Sequence, residues 1–328
     1  MFCGFAPRAW ALTPNAEGVY ELRTAQDLKD FRDLVNGGEV GANAKLMSDI
    51  DLGGEPWTPI GTGPYPNAYE GTFDGGGFTV SGVKVNNGVE DPWFGVCAGF
   101  FGFTYGNVKN LSISGEISAE SSGDIYIGGI AGSVQYDSYI PDGAKITNCS
   151  FSGSVSADST GGHVCAGGVV GQTVGIVRAK SAGCTYTGGS VTAVCGGQGA
   201  NNRVGGIVGQ AGSNTVVDSC TASSEKISAS GEFAINEAGG IAGEFNFSSM
   251  TNCTAASAAI SAEGTNSNDA GGITGNAHHG QMSGCAYTGG AGSITAKGAK
   301  GGENNNIGGI SGALENSSSV SNCAWNGD

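Results

Sequence analysis

One pentapeptide recurs six times in this chain, and that recurrence constrains the fold more than any other feature. Gly-Gly-[Ile/Val]-x-Gly starts at Gly128, Gly167, Gly205, Gly239, Gly271 and Gly308, in steps of 39, 38, 34, 32 and 37 residues. A degenerate copy, Ala98-Gly99-Phe100-Phe101-Gly102, begins 30 residues upstream of the first. A cysteine follows each full copy: Cys149, Cys184, Cys220, Cys253, Cys285 and Cys323. Three positions before it stand Ile146, Ser181, Val217, Met250, Met282 and Val320, apolar in all but one. A branched aliphatic then recurs at Val155, Val191, Ile227, Ile260 and Ile294. Short strand-like segments separated by Gly, Ser, Asn and Asp read as a parallel solenoid, whose units bury an apolar side only by stacking on one another.

The central pentapeptide residue is always branched: Ile130, Val169, Ile207, Ile241, Ile273 and Ile310. Side chains alternate faces along a strand. Equivalent residues of stacked coils lie about 4.8 Å apart. These six therefore predict an internal aliphatic ladder, and the six cysteines a second one. A small buried thiol suits a narrow core. Disulfides between neighbouring coils are disfavoured, because in-register parallel strands aim both Cβ atoms the same way. Cys3, Cys97, Cys165 and Cys195 lie outside the ladder; Cys165 and Cys195 are close enough in sequence to pair across a loop. There is no C-x-x-C, which disfavours zinc.

Composition agrees with this architecture. Of 328 residues 62 are glycine, only 8 are proline and 13% are charged. That much glycine would cost a helical bundle about 1 kcal/mol per site. The absence of a strict G-X-Y period excludes collagen. With 39% hydrophobic residues recurring in register, the chain is not simply disordered. The net charge of −15 gives no basic face for nucleic acid and is repelled by anionic membranes. No apolar run reaches the roughly 18 residues of a membrane helix, so no membrane insertion is expected. An acidic surface suits a secreted or cell-surface protein.

Three regions follow. Residues 1–19 read as a leader remnant or disordered start, with Ala9-Trp10-Ala11 resembling a cleavage site and Cys3 lacking an apolar lipobox. Residues 20–97 hold a capping helix and the first coils. Thr24 is a candidate N-cap, Leu28, Phe31, Leu34 and Val35 form one helical face, and Gly37-Gly38 ends it. Leu46, Ile50, Leu52, Phe78, Val80, Val83 and Val85 supply strands, with Trp57, Pro59 and Ile60 at a corner. Residues 98–328 hold the repeats.

The GG[IV]xG…NC pattern resembles the GLUG motif of bacterial cell-surface proteins, also found upstream of the catalytic part of immunoglobulin-A-specific metallopeptidases. Asp49-Ile50-Asp51-Leu52, Trp57-Thr58-Pro59-Ile60-Gly61 and Gly71-Thr72-Phe73-Asp74-Gly75 are similar to the coils that precede such repeats. The resemblance implies an all-β, right-handed parallel β-helix with a short N-terminal capping helix, in an extracellular protein. It hands over no catalytic set.

The residues themselves offer little chemistry. His163, His278 and His279 make no H-E-x-x-H, so the peptidase signature is absent. In the solenoid only Arg178 and Arg203 are arginines, their acidic neighbours do not recur, and no G-x-S-x-G occurs. No cofactor is expected, calcium being the possible exception: Asp49, Asp51 and Asp74 offer hard oxygens, although aspartate also caps turns. The sequons at Asn110, Asn148, Asn246, Asn252 and Asn316 partly follow from the repeat and are not read as glycosylation sites. Tyr65, Tyr69, Trp93, Tyr105, Tyr126, Tyr136 and Tyr139 gather in the N-terminal half. Of these, Trp93, Tyr105, Tyr126, Tyr136 and Tyr139 are the candidate ligand contacts. Phe151, Tyr186, Tyr287 and Trp325, two residues after ladder cysteines, share the core parity. Loops 133–145 and 173–183 are candidate binding elements.

The expected function is a non-enzymatic adhesion or binding scaffold for a host protein or glycan. A carbohydrate-active β-helix (polysaccharide lyase or glycoside hydrolase) and a passive stalk are the alternatives. The stretch Ala324–Asp328 directly follows the ladder cysteine Cys323, which leaves end-to-end self-association or further C-terminal chain as expectations.

Overall fold

A computed structural model describes residues 12–135, 144–174, 180–290, 293–298 and 304–326. Its strands form four sheets, and nearly every pairing is parallel and in register from coil to coil. One coil runs through Asn107–Lys109, Ser112–Ser121, Ile125–Gly128 and Ala131–Gln135, and the chain then re-enters the first sheet at Lys145–Thr147. The four strands belong, in that order, to the ten-, eleven-, eight- and seven-stranded sheets. The protein is a parallel β-solenoid.

A helix covers the N-terminal end. α1 (Ala25–Asn36) starts with a capping box: the Thr24 hydroxyl accepts from Asp27 N–H, and the Asp27 carboxylate accepts from Thr24 N–H. Leu28, Phe31 and Val35 are buried. The Phe31 ring lies 5.9 Å from Phe73 and 6.3 Å from Tyr69. This closes an end whose unpaired backbone would otherwise invite pairing.

The pentapeptide glycines are explained by proximity. The eight- and seven-stranded sheets meet at each Gly-Gly corner, which presses against the eleven-stranded sheet. A Cβ on Gly168 would sit 2.2 Å from the Gly206 carbonyl oxygen and 2.4 Å from Tyr186 Cγ. Ile130, Val169, Ile207, Ile241 and Ile273 are fully buried behind these corners.

The cysteines form the second column. Registers such as Asp218↔Thr251 and Thr221↔Thr254 place Cys220 directly against Cys253. Cys149, Cys184, Cys220, Cys253 and Cys285 are buried, and none of the nine described cysteines is in a disulfide. Cys165 and Cys195 are therefore separate thiols: Cys195 Sγ donates to Gly162 O at 3.1 Å and Cys165 Sγ to Gln210 Oε1 at 3.7 Å. Two ladder members depart from the expectation. Ile310 and Cys323 are only half-buried, because no rung of the structure covers their far side. Trp325 is half-exposed for the same reason, whereas Phe151, Tyr186 and Tyr287 are buried.

The residue before each ladder position adopts a left-handed conformation: Asn110, Asn148, Gly183, Ser219, Asn252, Gly284 and Asn322, with φ from 52° to 65°. Asparagine and glycine tolerate this corner best. The Asn-Cys pairs are thus conformational, which gives the sequons at Asn110, Asn148 and Asn252 a structural origin.

Candidate functional site

Two constellations stand out from the structural repeat. The first is an aromatic surface near the N-terminal end. Val89–Asp91 and Gly95–Ala98 form an antiparallel hairpin at the edge of the eight-stranded sheet. Its turn is fixed by Asp91, whose Oδ1 accepts from the N–H groups of Trp93 at 2.9 Å and Phe94 at 3.0 Å. Trp93 is 90% exposed at the tip and Tyr65 is 66% exposed in an adjoining loop. That loop lies against the hairpin, since a Cβ on Gly63 would fall 3.7 Å from Asp91 Oδ2. Beneath, Phe94 packs edge-on against Phe103 at 6.1 Å, and Tyr65 N–H donates to the Tyr105 hydroxyl.

Of the expected contact residues, then, Trp93 lies at the surface. Tyr105 does not: it is buried with Ala68, Cys97 and Phe103, and its hydroxyl donates to Gln135 Oε1. Tyr126 is half-buried against that cluster, bonded to Asp124. Tyr105 is corrected to a packing residue, because the two sheets fold back on each other and bury what a simple alternation would expose, whereas Tyr126 keeps part of its surface exposed. Tyr136, Tyr139 and Arg178 lie outside the described residues, as do most of the two candidate loops.

The second constellation is a polar seam between the eight- and seven-stranded sheets. Register stacks Cys97, Tyr126, Cys165, Arg203, Glu237, Asp269 and Asn306 on one side. On the other side stand Phe103, Ser133, Gln172, Gln210, Glu244, Asn276 and Ala313. Arg203 Nε lies 3.0 Å from Glu237 Oε2 and 2.5 Å from Glu244 Oε2. Gln210 Nε2 donates to Glu244 at 2.9 Å and Asn276 Nδ2 to Glu237 at 3.0 Å. Burial pushes the Glu237 carboxyl up to about 8, with Arg203 opposing the rise. Burial likewise raises Asp269. Two close carboxylates are what a glycosidase uses. Here both are spent on one guanidinium, and the side chains of Arg203, Glu237 and Glu244 are 13%, 5% and 10% exposed. Packed on one another at these distances, the three side chains read as a structural ion triad.

The calcium candidates do not converge. Asp49 Oδ1 accepts from Thr79 N–H, Asp51 Oδ1 from Gly53 N–H, and Asp74 Oδ1 from Gly76 N–H and Asn110 Nδ2. Each carboxylate supports a turn or a neighbouring coil. Among the described residues no group of three or more His, Cys, Asp or Glu is placed to hold a metal ion. His163 stands apart, its Nδ1 accepting from Asn201 N–H, while His278 and His279 lie with ring centroids 4.6 Å apart and His279 stacks on Phe247 at 4.3 Å.

An asparagine column, buried at Asn202, Asn236 and Asn268, escaped the sequence reading. Asn202, Asn236, Asn268 and Asn305 stack in register, each Nδ2 donating to the next Oδ1 at 2.8–3.1 Å. The signal was N-x-[Ala/Val/Ile]-Gly-Gly in the last four units. The first two units carry Ile125 and Val164 there instead.

A family model for the GLUG motif matches residues 123–156 and 200–228. Each match runs from the eight-stranded sheet through the pentapeptide and the ladder cysteine into the eleven-stranded sheet. No curated protein matches the chain. A crystal structure of a Bacteroides ovatus protein, provisionally assigned as an immunoglobulin A1 protease, is similar with a TM-score of 0.64. The likeness covers 94% of this chain and 85% of that one at 20% identity, a level that speaks to fold alone. The chain is a parallel β-solenoid, two segments of which match the GLUG motif.

Proposed function

We propose that this solenoid is a non-enzymatic binding scaffold of a bacterial surface or secreted protein, and that its contact surface is centred on Trp93 and Tyr65. The observation that carries the reading is Trp93 itself. It is an indole held 90% in water by a turn that Asp91 fixes, with no packing role that accounts for it. An aromatic side chain covers about 150–250 Å² when buried. At about 25 cal/mol per Å², a partner covering it gains roughly 4–6 kcal/mol before the costs of association. The net charge of −15 suits an extracellular surface that resists non-specific contact. The GLUG motifs and the likeness to the B. ovatus protein support the same setting.

The test is an array of host glycans and extracellular proteins probed with the parent and with Trp93→Ala. Binding that falls at least tenfold in the variant, with an unchanged melting temperature, supports the reading. Binding indifferent to Trp93, or release of reducing sugar from any polysaccharide that depends on Glu237, overturns it.

A further inference from the structure

The cysteine column sets six thiols in one line through the core. Its six thiols, Cys149, Cys184, Cys220, Cys253, Cys285 and Cys323, occupy one register position of six successive rungs. Neighbouring rungs hold them through Thr185 N–H to Cys149 O, Thr221 N–H to Cys184 O, Thr254 N–H to Cys220 O, Ala286 N–H to Cys253 O and Ala324 N–H to Cys285 O. The sulfurs therefore repeat at the rung spacing of about 4.7–4.9 Å.

That repeat is wrong for one chemistry and right for another. A disulfide needs Cβ atoms about 3.8 Å apart, closer than parallel in-register rungs bring them. A two-coordinate cation midway between two thiolates needs a sulfur–sulfur span of twice a metal–thiolate bond. On the scale of the zinc bond of about 2.3 Å that is about 4.6 Å, and silver is slightly larger. The thiols now donate to backbone carbonyls, as Cys184 Sγ does to Ile146 O at 3.4 Å and Cys253 Sγ to Thr251 O at 3.3 Å, protons that a cation would displace. Thiolate is the soft ligand that selects such ions.

We propose that the cysteine column binds thiophilic monovalent d10 cations, Cu(I) or Ag(I), one in each gap between successive rungs. Each entering cation replaces one thiol proton: R–SH plus M⁺ gives R–S–M plus H⁺, and the neighbouring sulfur completes the linear pair. Interior sulfurs bridge two cations. Six thiols make five gaps, so five cations release five protons, one thiol keeps its proton, and the loaded column is neutral in the core. No electron is transferred. Cys323, the half-exposed member, is the point of entry. The absence of three-ligand metal groups among the described residues is consistent, because each gap offers two ligands.

The probe is silver(I) nitrate in chloride-free buffer, titrated into the 328-residue chain. Bound silver is counted after gel filtration, with proton release and ultraviolet charge-transfer absorption followed in parallel. The decisive readout is the number of sites each variant loses. Cys220→Ala and Cys285→Ala each remove an interior thiol and should lose two sites; Cys323→Ala removes a terminal one and should lose one. Cys165→Ala, whose thiol stands outside the column, should lose at most one. Two interior variants guard against one failing to fold, and circular dichroism verifies each. The loaded parent should melt at a higher temperature, since the ligand binds the folded state. A loss of one site at every position would mean independent thiols and overturn the proposal. So would silver uptake that accompanies unfolding.

Discussion

Replacing Asn236 by alanine should be among the most damaging single changes to this chain. The residue is fully buried. Its Nδ2, with two hydrogens to give, lies 3.0 Å from Gly231 O, 3.3 Å from Ala234 O, 3.1 Å from Glu263 O and 3.0 Å from Asn268 Oδ1. Its Oδ1 accepts from Asn202 at 3.1 Å. Two of the three carbonyls, those of Gly231 and Ala234, serve a turn that no strand ladder satisfies. Glu263 O keeps a second donor in Gly231 N–H. A buried acceptor deprived of its donor costs about 1–3 kcal/mol. Two such acceptors, the most that two hydrogens can serve, with the small cavity added, give about 3–6 kcal/mol. Urea unfolding should show that loss as a lowered midpoint. Native hydrogen exchange should speed up first in rungs 201–205 and 268–271, which share the column. A variant within about 0.5 kcal/mol of the parent would refute the view that this column holds the turns in place.

Other predictions follow from the same geometry. Asn202 Oδ1, at the start of the column, has no donor, and Val164 stacks against it. Val164→Thr should therefore be neutral or stabilising in a thermal melt, where an unpartnered buried hydroxyl would cost about 1–3 kcal/mol. Gly168→Ala forces a Cβ to within 2.2 Å of a carbonyl oxygen and should lower the melting temperature sharply, whereas Gly41, with nothing within 4 Å, should accept alanine at no cost. The Glu237 carboxyl is raised in the folded state from 4.5 to about 8, so between those values the folded chain binds more protons than the unfolded one. Its stabilising contribution is complete below about pH 4.5 and is lost as pH rises toward 8. Glu237→Gln should flatten the fall in melting temperature over that window; a parent curve that rises there would contradict the assignment.

The periodic part of the fold was legible because stacking makes the same demand at the same position of every rung. Ile130 through Ile273 and Cys149 through Cys285 could be aligned on spacing alone. The helix at Ala25–Asn36 was legible from Thr24, Asp27 and its apolar face. The seam was not. In strands such as Phe101–Thr104 and Ala131–Gln135 every residue is buried, so alternation no longer distinguishes inside from outside. That is why Tyr105 was taken for a surface residue. Arg203 and Glu237 share a column, but Glu244 reaches them from the facing sheet, a contact no linear pattern marks. The asparagine column was visible as N-x-x-Gly-Gly from Asn202 onward, yet it begins only in the third unit. Asp49, Asp51 and Asp74 looked alike in sequence because turn capping and cation binding both favour aspartate.

The most direct test of the stacked-rung account is the native-state alkylation rate of each cysteine, read residue by residue by mass spectrometry. Cys149, Cys184, Cys220, Cys253 and Cys285 should remain unmodified in the folded chain while Cys323, half-exposed on the last described rung, reacts. Labelling of Cys220 as fast as Cys323, with the chain still folded, would mean that the column faces water and that the rungs do not stack as described.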